Sequence, residues 1–206
     1  MAGPGQTGFN ALGEILAGGV NPSAKMVDTY VYDLTQTPTW NNFGSMFYDN
    51  MDEFAVDGAV PSFVNYVEGI YVGYRYFDTF RKKALFPFGY GLSYTEFRLG
   101  TAGVEANGAQ VTVRTTVENT GTMAGRQVVQ VYLSKPAGKL DAPRQELCAF
   151  AKTRTLAPGE AETVTCSFTL PEMAAYDAET AAYILEAGDH LVRVGVSSAE
   201  TVPAAV

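Results

Sequence analysis

Six short runs of alternating apolar and polar residues follow Phe97, and turn residues separate them. Runs this short and this regularly spaced predict an antiparallel β-sandwich of the immunoglobulin-like type. The roughly 110 residues after Phe97 are enough for one such domain, which usually needs about 100. The runs cover residues 110–119, 126–134, 144–153, 161–170, 181–188 and 189–197.

The run QVTVRTTVEN (110–119) shows this alternation most clearly. Successive side chains of a strand point to opposite faces, so every second residue belongs to the same face. We therefore expect one solvent face and one core face, the latter formed by Val111, Val113, Thr115 and Val117.

The first part of the chain has a different pattern. Residues 7–17 carry apolar side chains at helical spacing, with Thr7 as a suitable N-cap and Gly18 as a suitable terminator. The sequence predicts a short amphipathic helix whose apolar stripe needs a surface to pack on. Hardly any chain precedes it, so we expect the rest of an upstream domain to be missing. The stripe consists of Phe9, Leu12, Ile15 and Leu16.

Two further segments separate this helix from the sandwich. Residues 25–32, with the sequence KMVDTYVY, are strand-like. Residues 33–61 are rich in Asn, Asp, Thr and aromatic residues without a clear period, which predicts a long surface excursion.

Residues 68–97 contain ten Phe or Tyr among thirty residues, together with several Gly. The rings follow no single period, and Gly weakens both helices and strands. This composition predicts an irregular, well-packed connector between two folded bodies.

Composition excludes several classes of function. An apolar fraction of 47% is that of a folded globular protein, and a net charge of −8 argues against nucleic acid as a partner. We expect no membrane partner, because no apolar run is long enough to span a bilayer. No targeting signal or cofactor motif is present in the sequence, which leaves localisation open, with the cytoplasm preferred over secretion. Cys148 and Cys166 are predicted to be reduced thiols; the alternative is that they pair.

Several blocks of the chain resemble glycoside hydrolase family 3, in the order in which that family has them. The first is similar to a stretch near the end of the family's α/β sandwich domain, with Ala24 where Gly is usual. The later blocks are similar to the segment that enters the family's fibronectin type III-like domain and to that domain itself. The blocks are GPGQTGFNALGEILAGGVNPSAK (3–25), EGIYVGYRYF (68–77), LFPFGYGLSYTEF (85–97), VENTG (117–121), AGRQVVQVYLSKP (124–136), ELCAFAKTRTLAPGEAETV (146–164) and YILEAGDHLVRVGVSS (183–198).

The resemblance implies two domains, with residues 1–95 ending the α/β sandwich domain and residues 96–206 forming the fibronectin type III-like domain. It also implies a parent enzyme that hydrolyses terminal β-linked glucose or xylose with retention, using two carboxyl groups about 5 to 5.5 Å apart. In the family the nucleophilic Asp lies on a separate barrel, and the acid/base Glu lies upstream of residues 3–25. We therefore expect neither catalytic carboxylate here, and expect the remainder of the parent glycosidase as partner.

Glu68 is the carboxylate that most invites a catalytic interpretation, because it lies among aromatic residues. A structural ion pair with Arg75 explains the position more simply, and the resemblance gives this position no acid/base role. We expect the ion pair.

Three aromatic residues of the long excursion are candidates for binding a sugar ring: Trp40, Phe43 and Tyr48. Exposed rings stack on sugar faces, so a carbohydrate is a candidate partner. The preferred alternative is that these rings pack the excursion onto its own domain.

No metal site is predicted. The acidic residues Asp49, Asp52, Glu53 and Asp57 lack the spacing of a calcium loop, and His190 is the only histidine. The four acidic residues fit a solvated loop better.

Three hypotheses for the whole chain follow. The first is a non-catalytic portion of a family 3 glycosidase that supports and positions its domains. The second is a binding module for polysaccharide or protein without a hydrolase role. The third keeps the parent enzyme but places its barrel after Val206.

Overall fold

The computed structural model describes residues 7–42, 44 and 46–205, and they form a mainly β protein as predicted. The part before the sandwich contains helix α1 (Gly8–Leu16), strands β1 (Met46–Phe47) and β2 (Ser62–Phe63), and helix α2 (Tyr74–Thr79). The sandwich contains β3 (Phe97–Leu99), β4 (Gly103–Asn107), β5 (Gln110–Asn119), β6 (Val128–Ser134), β7 (Glu146–Lys152), β8 (Ala161–Thr169), β9 (Ala175–Asp177), β10 (Ala182–Ile184), β11 (Leu191–Ser197) and β12 (Glu200–Pro203).

Two antiparallel sheets form the sandwich. In one, β5 pairs with β8 along one edge and with β3 and β4 along the other. In the second, the strands follow the order β12-β11-β6-β7. The small hairpin of β9 and β10 lies outside both sheets.

The core between the sheets confirms the alternation predicted for β5. Val113 and Val117 are almost fully buried, and Thr115 shares their face. They pack with residues of the facing sheet such as Val131 and Val194. Such a core, with apolar side chains from two inner faces, is that of a β-sandwich.

Strand β6 departs from the alternation of β5, because five consecutive residues are buried. Val129, Val131 and Leu133 face the core, whereas Gln130 and Tyr132 belong to the opposite face. That opposite face is therefore also covered, and what covers it is the segment that precedes the sandwich.

Helix α1 forms as predicted, and Gly18 ends it in a left-handed conformation (φ +76°). Thr7 occupies the N-cap position, but its side chain makes no capping hydrogen bond. Phe9 and Leu16 are 62% and 74% exposed, so most of the apolar stripe is uncovered within the described residues. Among those residues no helix has the length and apolar character to cross a bilayer.

The strand predicted for residues 25–32 is wrong. The segment makes one isolated bridge, Tyr30 to Phe86, and Met26 exchanges backbone hydrogen bonds with residues 89–90. A bend at residues 27–28 separates these contacts, so no continuous ladder forms. Residues 33–61 are a surface excursion as predicted, consisting of short 3-10 turns and strand β1, which pairs with β2 just after the excursion. None of its described residues is buried.

We expect the rates of amide hydrogen exchange to differ between the sandwich and the residues that precede the joint. Amides of β5 and β6 should exchange at least about 100-fold more slowly than those of residues 7–67, since both strands are hydrogen-bonded along two edges and buried. Peptide-resolved mass spectrometry of the purified chain measures this. Equal protection in both regions would contradict this division of the molecule.

Candidate functional site

Residues 74–90 pack on the outer face of the β12-β11-β6-β7 sheet, and we call this interface the joint. Tyr74 of α2 lies between two rings, stacked on Phe88 (centroids 4.8 Å apart) and edge-on to Tyr132 (5.9 Å). Phe77, one helical turn further on, is 2% exposed. The aromatic residues thus pack as a connector, as predicted.

Two hydrogen bonds from backbone N–H groups of the sandwich fasten this ring stack. The backbone N–H of Leu147 donates to Tyr74 Oη (2.9 Å), and that of Ser198 donates to Phe88 O (2.8 Å). Burial raises the pKa of both Tyr74 and Tyr132, so the two phenols stay protonated. The Tyr132 hydroxyl can therefore donate to Gln130 Oε1, the partner that it has in the structure.

Two buried glutamines connect the joint to the end of β11. Gln130 Nε2 donates to Val196 O (2.9 Å) and to Gly89 O (3.3 Å). Gln145, only 1% exposed, donates through Nε2 to Ser198 O (2.6 Å) and to Asp78 Oδ2 (3.0 Å). Burial raises the pKa of Asp78, and the hydrogen bond from Gln145 opposes that shift.

Sequence reasoning did not identify these glutamines as functional residues. A signal was present, since Gln130 interrupts the apolar run VVQVYL of β6. A polar residue inside such a run indicates a second covered face, where its amide must find partners.

Gly89 lets the connector approach the sheet. Its φ of +82° lies in the left-handed region, and a Cβ there would overlap the side-chain amide of Gln130. Both the backbone conformation and the close approach therefore require glycine.

The predicted ion pair between Glu68 and Arg75 is wrong. Arg75 contacts Glu146 of β7 (3.4 Å), because α2 lies against that strand, and Lys135 contacts the same carboxylate. Glu68 instead accepts a hydrogen bond from Asn42 Nδ2 (2.6 Å). Glu68 is thus joined to the 3-10 turn Trp40–Asn42, and so to one of the candidate sugar-binding residues.

Glu68 also borders a groove of about 890 Å³ between residues 67–71 and two loops of the sandwich. Lys139 lies in that groove and contacts Asp177 (3.6 Å) and Glu179 (2.6 Å). A hydrogen bond from Thr180 lowers the pKa of Asp177, with Lys139 adding to the effect. A carboxylate held ionised in this way is unsuited to act as a general acid.

Two of the three candidate sugar-binding aromatics are about half exposed. Trp40 is 46% exposed, and Tyr48 is 48% exposed with its ring 4.9 Å from that of Phe63. Phe43 lies outside the described residues. Tyr48 therefore packs partly within its own hairpin, whereas Trp40 presents about half its surface to solvent.

Neither a metal centre nor a disulfide is seen in the part of the chain that the structure describes. There, no three His, Cys, Asp or Glu side chains are grouped as a metal site requires. Cys148 and Cys166 are free thiols, and burial raises the pKa of Cys148 to about 12.

Comparison with known proteins agrees with this architecture. Residues 127–198 match the fibronectin type III-like domain family. A β-glucosidase of Ruminococcus albus is 39% identical over 197 residues, which are 93% of this chain and 19% of that enzyme. The structure of a β-glucosidase from Paenibacillus barengoltzii superposes with a TM-score of 0.85 at 40% identity, covering 97% of this chain and 21% of that one. β-Glucosidase 3B of Thermotoga neapolitana, solved with glucose, has a TM-score of 0.82 at 39% identity, covering 95% and 26%.

Residues 127–198 thus belong to a fibronectin type III-like domain, and the joint packs on its sheet. The chain as a whole corresponds to the C-terminal part of glycoside hydrolase family 3 β-glucosidases, as its resemblance to that family predicted. It spans about a fifth to a quarter of the length of these relatives, in which the matching region belongs to a much larger single chain.

Replacing Gly89 by Ala should loosen the joint. The substitution combines a strained φ with a clash against Gln130, so we expect a loss of roughly 2–4 kcal/mol in the free energy of unfolding. Urea denaturation followed by far-UV circular dichroism measures it.

Gly159→Ala is the matched control for this experiment. Gly159 has nearly the same φ (+79°), but a Cβ there would meet no atom within 4 Å, so only about 1 kcal/mol should be lost. Equal losses for the two variants would mean that the contact between Gly89 and Gln130 does not matter.

Proposed function

We propose that this chain is the non-catalytic C-terminal portion of a family 3 β-glucosidase, where it supports and positions the domains that carry the chemistry. The parent enzyme would hydrolyse terminal β-D-glycosidic bonds with retention, the activity class that the relatives' names suggest. Its two catalytic carboxylates would come from the remainder of that enzyme.

The observation that carries the proposal is the contrast in burial across residue 95. Among the described residues before 96, Phe77 is the only buried apolar side chain, and it lies in the joint. Large exposed apolar side chains are concentrated in the same part of the chain, such as Leu16, Val27 and Tyr66 at 74%, 86% and 75%. Exposed apolar surface of this extent is typical of an interface with another folded body.

The joint supports a role in positioning a neighbouring domain relative to the sandwich. Ring stacking and satisfied buried amides prefer one geometry, so a body attached to residues 7–72 would meet the sandwich at a defined angle. We accordingly propose a division near residue 95, with residues 1–95 belonging to the α/β sandwich domain and residues 96–206 forming the fibronectin type III-like domain.

The purified chain should release nitrophenol from nitrophenyl β-glucoside no faster than the buffer does. Glu68 has a neutral amide as its hydrogen-bond partner, and the proposal gives the chain no second catalytic carboxylate. The β-glucosidase 3B of Thermotoga neapolitana is the positive control for the spectrophotometric assay.

Glu68→Gln and Glu53→Gln make this assay decisive, because each of these carboxylates accepts a hydrogen bond from a nearby Asn side chain. Release above the blank that is lost in Glu68→Gln and kept in Glu53→Gln would assign catalysis to this chain. That outcome would overturn the proposal.

A carbohydrate-binding module without a hydrolase role is the second candidate. The observation in its favour is the half-exposed ring of Trp40, in the same 3-10 turn as Asn42, whose side-chain amide donates to the Glu68 carboxylate. A flat ring beside polar hydrogen-bonding groups is a common arrangement for binding sugars.

Co-sedimentation with insoluble β-glucan distinguishes this candidate from the first. A binding module would sediment with the glucan and lose most of that binding in Trp40→Ala, because the ring supplies the stacking surface. Phe150→Ala is the control, since Phe150 is 68% exposed on the sandwich. We expect no binding for the unaltered chain, and binding lost only in Trp40→Ala would favour the second candidate.

A further inference from the structure

The two sheets of the sandwich are joined along one edge and open along the other. After β12 the Ala204 N–H donates to Val192 O of β11 (3.0 Å). The next residue, Ala205, accepts from the Val104 N–H of β4 (3.0 Å), so the chain crosses here from one sheet to the other. At the opposite edge β7 pairs with β6 and β8 pairs with β5, and no ladder joins β7 to β8 among the described residues.

Cys166 lies on the core face of β8. Burial alternates along this strand, and its buried residues are Val164, Cys166 and Phe168. All three belong to the cluster that fills the space between the sheets. Because β8 is an edge strand, Cys166 lies at the margin of the core where the sheets are not joined.

Cys148 reaches the same margin through a β-bulge in β7. Tyr132 pairs with Leu147 and Val131 pairs with Ala149, so Cys148 is the extra residue of the bulge. A bulge re-aims the side chain of its extra residue, and here Cys148 packs against the core together with Ala149. The thiol donates to Val131 O (3.2 Å).

An open groove of about 440 Å³ runs between these two edge strands, and we call it the seam. Residues 147–150 form one wall and residues 165–167 form the other, so each wall carries one of the two cysteines of the chain. Pairs of Cα atoms from β7 and β8 lie within 8 Å of each other. Because the Cα separation across a disulfide is usually about 4.4–6.8 Å, a small closing movement of the edge brings the cysteines into bonding range.

Burial sets the reactivity of the two thiols. It raises the pKa of Cys148 to about 12, with the neighbouring Cys166 adding to the rise, and it raises the pKa of Cys166 as well. The thiolate is the reactive form, so both cysteines persist as thiols at neutral pH and react slowly. Cys148 is the less buried of the two, and a small disulfide therefore reaches it first.

We propose that Cys148 and Cys166 are a redox-sensitive pair, which oxidation converts to a disulfide that closes the seam. The oxidant is a low-molecular-weight disulfide such as oxidised glutathione. The Cys148 thiolate attacks one glutathione sulfur and releases one glutathione thiol. Cys166 then attacks the Cys148 sulfur of this mixed disulfide and releases the second glutathione thiol.

The reaction is balanced, since two protein thiols are oxidised, one glutathione disulfide is reduced, and both thiol protons pass to the released glutathione. The inference concerns the sandwich alone and does not depend on the proposed positioning role.

The test is incubation of the full, folded chain with oxidised glutathione at pH 9, followed by iodoacetamide. The intact mass should show the loss of two hydrogens and no alkylation, and peptide mapping should link Cys148 to Cys166 within one chain. The urea midpoint of the oxidised chain should rise by about 1 M, because the bridge closes a loop of roughly 18 residues in the unfolded state.

The pH dependence of the rate identifies the buried thiols. Closure should accelerate about tenfold for each pH unit from 7 to 10, because the pKa of Cys148 lies above that range. A rate that becomes constant near pH 8.5 would show that an ordinary exposed thiol reacts, as happens if the chain must open first.

Single variants are the matched controls. Cys166→Ser should keep one glutathione on Cys148, whereas Cys148→Ser should react at least about tenfold more slowly, since Cys166 is only 5% exposed. Neither variant should show the rise in the urea midpoint. The intact mass of the unaltered chain decides the outcome even if a variant fails to fold.

Three results would overturn the inference. The first is a folded chain that yields mixed glutathione disulfides without the internal bridge. The second is disulfide formation between two chains. The third is an internal bridge that forms only in urea or that lowers the urea midpoint, since such a bridge would not fit the folded seam.

Discussion

Burial of strand β6 on both faces is the constraint on which the rest of this structure depends. Val129, Val131 and Leu133 fill the space between the two sheets, while Gln130 and Tyr132 lie beneath the connector. An antiparallel sheet commonly leaves one face to water. Here the outer face holds an amide and a phenol that need partners out of water, and the connector supplies them. The sandwich and residues 74–90 are therefore one packed unit.

The polar groups fix the relative position of the packed elements. Apolar rings alone would tolerate sliding, whereas Gln130 and Gln145 are satisfied only when Val196 and Ser198 lie at particular positions. Between them they tie α2, the start of β7 and the end of β11 to one arrangement. This is the property required of an element that sets the angle between two domains, and it needs no reactive group.

The carboxylates before residue 95 are consistent with this indirect role. Glu68 accepts from an amide, and Asp78 accepts from Gln145. In both cases the carboxylate stabilises a local arrangement of the chain.

The sequence by itself determined the sandwich, the helix at residues 8–16 and the packed character of the aromatic connector. These follow from alternation, helical spacing and composition, which are local properties of the chain. Short strands such as β4 and β12 escaped prediction because their partners, not their own patterns, make them strands. Residues 25–32 have a strand-like pattern, but a bend interrupts their pairing. Only the tertiary structure decided that Arg75 meets Glu146 instead of Glu68, and that the face of Gln130 is covered. Such contacts join residues that are distant in the chain, and a local pattern carries no information about which distant group will lie opposite.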